Sequence, residues 1–170
     1  MHPSYLGDSY DIVKRFFCEA LRRLGYTVYI DPMFTGEWSG QEASLYKFLG
    51  VQRLHGGGVT ASAATALFLD PDTGVNGKGG RRHASFERVA TEALKHQIVF
   101  AFDQGFSRAT LPKTQIEKKL AAMLARGCRA FYYDSHARFI FASRDGKELE
   151  RLRAELVSQG LPNTRLVGAN

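Results

Sequence analysis

The chain has 170 residues, 44% of them apolar, with 23 Lys and Arg against 17 Asp and Glu and a formal charge of +6. That length buries roughly 70% of the surface an unfolded chain exposes, so one domain over 1–170 needs no staples, and the two cysteines, Cys18 and Cys128, exclude a disulfide-framed module and fit no zinc spacing. The longest apolar runs, such as Ile98–Phe102, fall far short of the ~18 residues of a membrane span, and no signal-peptide pattern opens the chain, so a reduced, cytoplasmic protein with no membrane association is expected.

Ile12, Val13, Phe16, Phe17, Ala20, Leu21 and Leu24 recur on one face of a helix that Asp8 or Ser9 caps and Gly25 stops. Positions 26–30 are β-branched and aromatic and run into Asp31-Pro32, which reads as a strand ended by a proline. A short helix over 42–49 follows, then a loop of glycines and small residues at 56–64 and an apolar strand at 66–69. The stretch 76–82 reads as a flexible basic loop. Ser85 caps a helix bearing Phe86, Val89, Ala90, Ala93 and Leu94, and a strand over 97–102 ends at Asp103. Thr114 and Glu117 form a capping box for the next helix. Strands at 129–133 and 138–143 make a hairpin, and Leu149, Leu152 and Leu156 mark a last helix, with a short strand at 164–167.

Strands alternating with helices predict an α/β fold, a three-layer Rossmann-like sandwich with a mainly parallel sheet and an antiparallel hairpin near the C-terminal edge. In such sheets ligands bind beyond the carboxyl ends of the strands. The residues there are unusually acidic: Asp31, Asp70 and Asp72, Asp103, and Asp134 follow successive strands. Carboxylates gathered on one rim suit Mg²⁺ or Mn²⁺, which take oxygen ligands and keep waters for a phosphate substrate. Asp31, Asp70, Asp72 and Asp103 are therefore the expected metal ligands, with Arg82 and Arg108 on phosphate and His83 or His136 moving a proton.

Charge patterning points to the same class of partner. From Lys78 to Arg129 there are eleven Lys and Arg against four acids, a formal +7, while the rest of the chain carries −1. Such a segment is where DNA or RNA would make phosphate contacts. No phosphate-binding G-x-x-x-x-G-K-[ST] loop and no G-x-S-x-G serine elbow occurs. Asp70-Pro71-Asp72-Thr73 misses the haloacid-dehalogenase spacing by one position.

The order of motifs resembles the Rossmann-like methyltransferase superfamily, in particular the ribosomal-RNA adenine-N6 methyltransferases with a D-P-P-Y motif. The segment from Gly7 to Lys14 is similar to the helix before their first strand, 29–36 to their cofactor loop, and Leu67 to Asp72 to the strand that carries D-P-P-Y. The likeness covers about half the chain and implies S-adenosylmethionine as cofactor and a nucleic-acid substrate. Only 38 residues separate Asp31 from Leu69, which implies a reduced cofactor half, and Asp72 and Thr73 stand where the aromatic of the motif is expected. That replacement shifts the expected chemistry toward a metal. Phe102-Asp103-Gln104-Gly105-Phe106 also looks loosely like the late aspartate segment of PIN and NYN nucleases. The readings carried forward are a metal-dependent phosphodiester hydrolase, then a methyltransferase-like protein, then an inert nucleic-acid- or partner-binding domain.

Overall fold

Asp8 starts the first helix by accepting the Asp11 N–H at 2.9 Å. In the computed structural model, which describes residues 3–34, 36, 38–54, 64–107 and 109–168, that helix is α1 (Ser9–Arg23). Arg108 and the glycine-rich segment up to residue 63 lie outside the described residues. Gly25, at φ 90°, turns the chain into β1 (Thr27–Asp31), one residue later than the sequence predicts. Then come α2 (Glu42–Leu49), β2 (Gln52–Arg53) and β3 (Thr65–Leu69). The two-residue β2 is too short to show any periodicity and has no apolar residue to betray it.

The expected basic loop is present over 77–82, and the two short strands that flank it, β4 (Gly74–Asn76) and β5 (His83–Ser85), pair in parallel as a ribbon the sequence does not predict. Ser85 then caps α3 (Phe86–Glu92) through the Arg88 N–H at 2.9 Å, as predicted. β6 (Ile98–Phe102) leads to α4 (Pro112–Leu124), which opens before the expected capping box. Proline in the first turn, with its fixed φ and no N–H to satisfy, begins the helix in place of Thr114. β7 (Arg129–Tyr133), β8 (Phe139–Ser143), α5 (Gly146–Ser158) and β9 (Leu166–Gly168) complete the chain.

The seven-stranded sheet runs β2-β1-β3-β6-β8-β7-β9. β2, β1, β3 and β6 are parallel, β8 is antiparallel to both its neighbours, and β9 is antiparallel to β7. The hairpin is present, but its second strand lies inside the sheet: the crossover through α4 leaves a gap beside β6 that β8 returns to fill. Among the described residues no helix is long and apolar enough to cross a membrane.

Register decides which residue meets which layer. Ile30, Phe68, Phe100, Phe141 and Phe131 form one row across five strands, with Phe68 and Phe100 stacked at 4.6 Å and Phe131 and Phe141 at 4.7 Å. This row packs under residues of α1, α2 and α5. The next row, Asp31, Leu69, Ala101, Ile140 and Tyr132, faces the other way, and its apolar members pack with residues of α3 and α4. Side chains alternate faces along a strand, so Asp70 falls on the α1 side and Asp31 and Asp103 on the α3–α4 side.

Candidate functional site

Asp11, Lys14, Phe17, Cys18 and Leu21 lie on the buried stripe of α1, so two charged residues share an apolar face. They persist there because each is matched. Lys14 Nζ donates to Asp11 Oδ1 and to Asp70 Oδ2, both at 3.0 Å, and lies 5.0 Å from the centre of the Phe102 ring. Asp11 Oδ2 accepts the Gly7 N–H at 3.1 Å. Asp70 Oδ1, by contrast, is buried and finds no hydrogen-bond partner among the described residues.

Burial drives the Asp70 carboxyl upward, against the pull of Lys14, to a pKa of about 6. For Lys14 burial acts downward, but Asp70 and Asp11 outweigh it and leave the ammonium above its ordinary value. The pair is therefore charged at neutral pH, with one carboxylate oxygen spare.

That pair lines a cleft of about 280 Å³ at the carboxyl ends of β3 and β6, whose walls include Tyr5, Tyr10, Phe102 and Gln104. Tyr10 packs edge-on against Phe102 at 5.6 Å and lies over the His136 ring at 4.8 Å. Gln104 Nε2 donates to the His136 carbonyl at 2.8 Å. The size suits one ring or a comparable group, below the range of whole drug-sized ligands. Four carboxylates, Asp8, Asp11, Asp70 and Asp72, stand against one lysine in the lining.

The other expected site residues are distributed around this cleft unevenly. Asp72 lines it and pairs with Arg82 Nε at 2.6 Å, while a ring nitrogen of His83 lies 2.8 Å from Thr73 Oγ1 just behind. Asp31 pairs with Arg88 on the opposite face. Asp103 is wholly buried on that face too, and its Oδ1 accepts the N–H groups of Val75 at 2.9 Å and Gly105 at 3.2 Å. Its Oδ2 accepts the Tyr132 hydroxyl at 2.8 Å and binds Lys119. Burial depresses the Lys119 ammonium against the opposing pull of Asp103.

The four carboxylates expected to share a cation thus engage four separate basic residues, Arg88, Lys14, Arg82 and Lys119. Among the described residues no three His, Cys, Asp or Glu side chains group as a metal set. Lys119, part of the basic run, is buried and withdrawn from any nucleic-acid surface. Lys14, Asp11 and Tyr10 are site residues that sequence reasoning passed over. Their signal was present in the i, i+3 placement of Asp11 and Lys14 on the stripe leading to Phe17 and Leu21. Compared with known proteins, the chain matches no family model, no curated protein and no solved structure.

Proposed function

We infer that this is a nucleic-acid-acting, methyltransferase-like enzyme with a Rossmann-like three-layer sandwich, working at the Asp70 cleft. The observation that carries the reading is the ion pair between Lys14 and Asp70, 56 positions apart. It joins, at the carboxyl end of the sheet, the two segments on which the methyltransferase resemblance rests: the opening helix and the Asp70-Pro71 turn.

At about 280 Å³ the cleft takes one ring, so it would hold the base and not the whole of S-adenosylmethionine; the carboxylates around it and the rings of Tyr10 and Phe102 would suit the cationic sulfonium of a cofactor bound beside it. When bound, the cofactor supplies a methyl group to a nucleophilic nitrogen. Lys14 fixes the carboxylate of Asp70 by Oδ2, which leaves Oδ1 to accept an N–H from a base held in the cleft. A carboxylate with a pKa of about 6 is ionised at neutral pH yet a better proton acceptor than an ordinary aspartate. It can therefore take the proton that an amino nitrogen must lose on alkylation. Tyr10 and Phe102 give a flat base an apolar face. Exposed Lys78, Arg81, Arg82, Lys113 and Lys118 provide phosphate contacts outside the cleft.

Thermal unfolding with S-adenosylmethionine tests this directly. A ligand at ~100 times its dissociation constant adds about 2.7 kcal/mol, a shift of several degrees. The shift should appear with the wild-type protein and shrink in Asp70→Asn. Labelled-methyl transfer to RNA or DNA should vanish in the same variant. An unchanged melting curve at millimolar cofactor removes the reading.

A further inference from the structure

A second cleft, of about 450 Å³, opens at the carboxyl ends of β1 and β2, with Asp31, Met33, Tyr46, Arg53, Arg81 and Arg88 in its walls. Its charge is opposite to that of the Asp70 cleft: three arginines stand against one carboxylate. They arrive from three places, Arg53 from β2, Arg81 from the turn between β4 and β5, and Arg88 from α3. Arg88 is braced by Asp31, and among the described residues no carboxylate lies within ion-pair distance of Arg53. Three guanidinium groups around one concavity repel each other and focus a positive potential in it, which a bound anion relieves. Guanidinium is also the group best shaped to grip phosphate oxygens two at a time.

A phosphate alone would fill little of the volume. The remaining wall, Met33 and Tyr46, is apolar and aromatic and suits a sugar or base. Met33 is held in place by its N–H to Asp31 Oδ1 at 3.0 Å, with its backbone at φ 47°. The two clefts are also neighbours, since the Asp70 N–H donates to the Asp31 carbonyl at 3.0 Å.

We propose that the arginine cleft binds the phosphate of a nucleotide unit in a single-stranded nucleic acid, adjacent in the strand to the unit whose base enters the Asp70 cleft. The proposal rests on the nucleic-acid reading above. A single strand is specified because its bases can enter a cleft walled by Tyr10 and Phe102 without the unpairing and unstacking that flipping a base out of a duplex costs. The acidic cleft and the basic cleft then divide the labour of one nucleotide chain, with bases directed to carboxylates and backbone to arginines.

The test is fluorescence anisotropy of labelled single-stranded RNA and DNA oligonucleotides, titrated across a salt series. Arg53→Gln and Arg81→Gln alter exposed side chains and leave the core intact. Each should weaken binding and lower the slope of log affinity against log salt by about 0.7, the value for one phosphate contact on a single strand. Arg23→Gln, in the last turn of α1 at the opposite end of the sheet, should leave the slope unchanged. An unaltered slope in the Arg53→Gln, Arg81→Gln double variant overturns the proposal. So does tight wild-type binding of a nucleoside monophosphate or inorganic phosphate, lost in that variant, without oligonucleotide binding, because the site would then serve a free ligand. The thermal shift with S-adenosylmethionine in the double variant separates the two ideas: if it persists while the salt slope does not change, the Asp70 cleft stands and only the arginine site falls.

Discussion

Lys14 is one of the most consequential single residues in the molecule, because a buried ammonium must be matched where it lies. It pairs with Asp11 and Asp70 together and is only 2% exposed. Removing one member of a buried pair commonly costs about 3–5 kcal/mol, mostly as the penalty on the charge left behind. Lys14→Met should therefore lower stability by about that amount in urea or thermal unfolding. Because the damage comes from the stranded carboxylates, Lys14→Met combined with Asp70→Asn should recover part of it. A double variant as unstable as the sum of the single changes would mean that the two residues do not interact energetically. The same cycle bears on the proposed function, since Asp70→Asn removes the proposed proton acceptor whether or not the fold is restored.

At the level of elements, the β4–β5 ribbon is held to the sheet by Asp103. Its carboxylate binds Val75, Gly105, Tyr132 and Lys119 at once, so it acts as a clasp with no valence left for a metal or substrate. Gly74 sits against that clasp at φ 119°, and a Cβ there would lie 2.7 Å from the Gly105 nitrogen as well as crowding Asp103 Oδ1. Gly74→Ala is both conformationally strained and sterically blocked, and should cost roughly 2 kcal/mol or more. Hydrogen exchange at Val75 should accelerate beyond the global loss, as the ribbon lifts from the rim. If Val75 keeps its protection relative to the rest of the sheet, Asp103 is not what holds the ribbon.

These elements also mark where the sequence was readable. The α1 stripe, the buried runs of β3 and β6 and the Ser85 cap follow from periodicity and side-chain chemistry alone. The ribbon does not, because strands of three residues, Gly74–Asn76 and His83–Ser85, are too short to show a period, and they are held by pairing with each other and by the Val75 N–H to Asp103. The carboxylate rim was legible as a set of strand ends, but not as a set of contacts. β6 is apolar throughout and β3 is apolar after Thr65, so alternation of faces leaves no trace in composition. Only the pairing of Leu69 with Ala101 reveals that Asp70 and Asp103 point to opposite layers.

Across the whole molecule, this division of faces separates charge that composition averages to a modest +6. The α1 side of the rim holds a buried acid with a raised pKa, and the cost of ionising it falls on the fold as a whole. Asp70 titrates near 6 in the native protein against 3.8 for an unhindered carboxyl, so between these values the folded state binds more protons than the unfolded one. Stability should accordingly be fullest below about pH 4, decline as pH rises toward 6, and level off above it, with a loss on the order of 2–3 kcal/mol from this group. Lys14, also raised, adds a second decline only in strongly alkaline solution, above its ordinary value of 10.5. Asp72, whose carboxyl is held below its ordinary value, acts in the opposite sense in acid solution, so the diagnostic quantity is the difference from Asp70→Asn, which cannot ionise. Melting temperatures of wild type and variant measured from pH 4 to 7 should converge or cross as the wild type loses its advantage. Parallel curves over that interval would place the Asp70 carboxyl in an ordinary environment and remove the basis for its proposed role as proton acceptor.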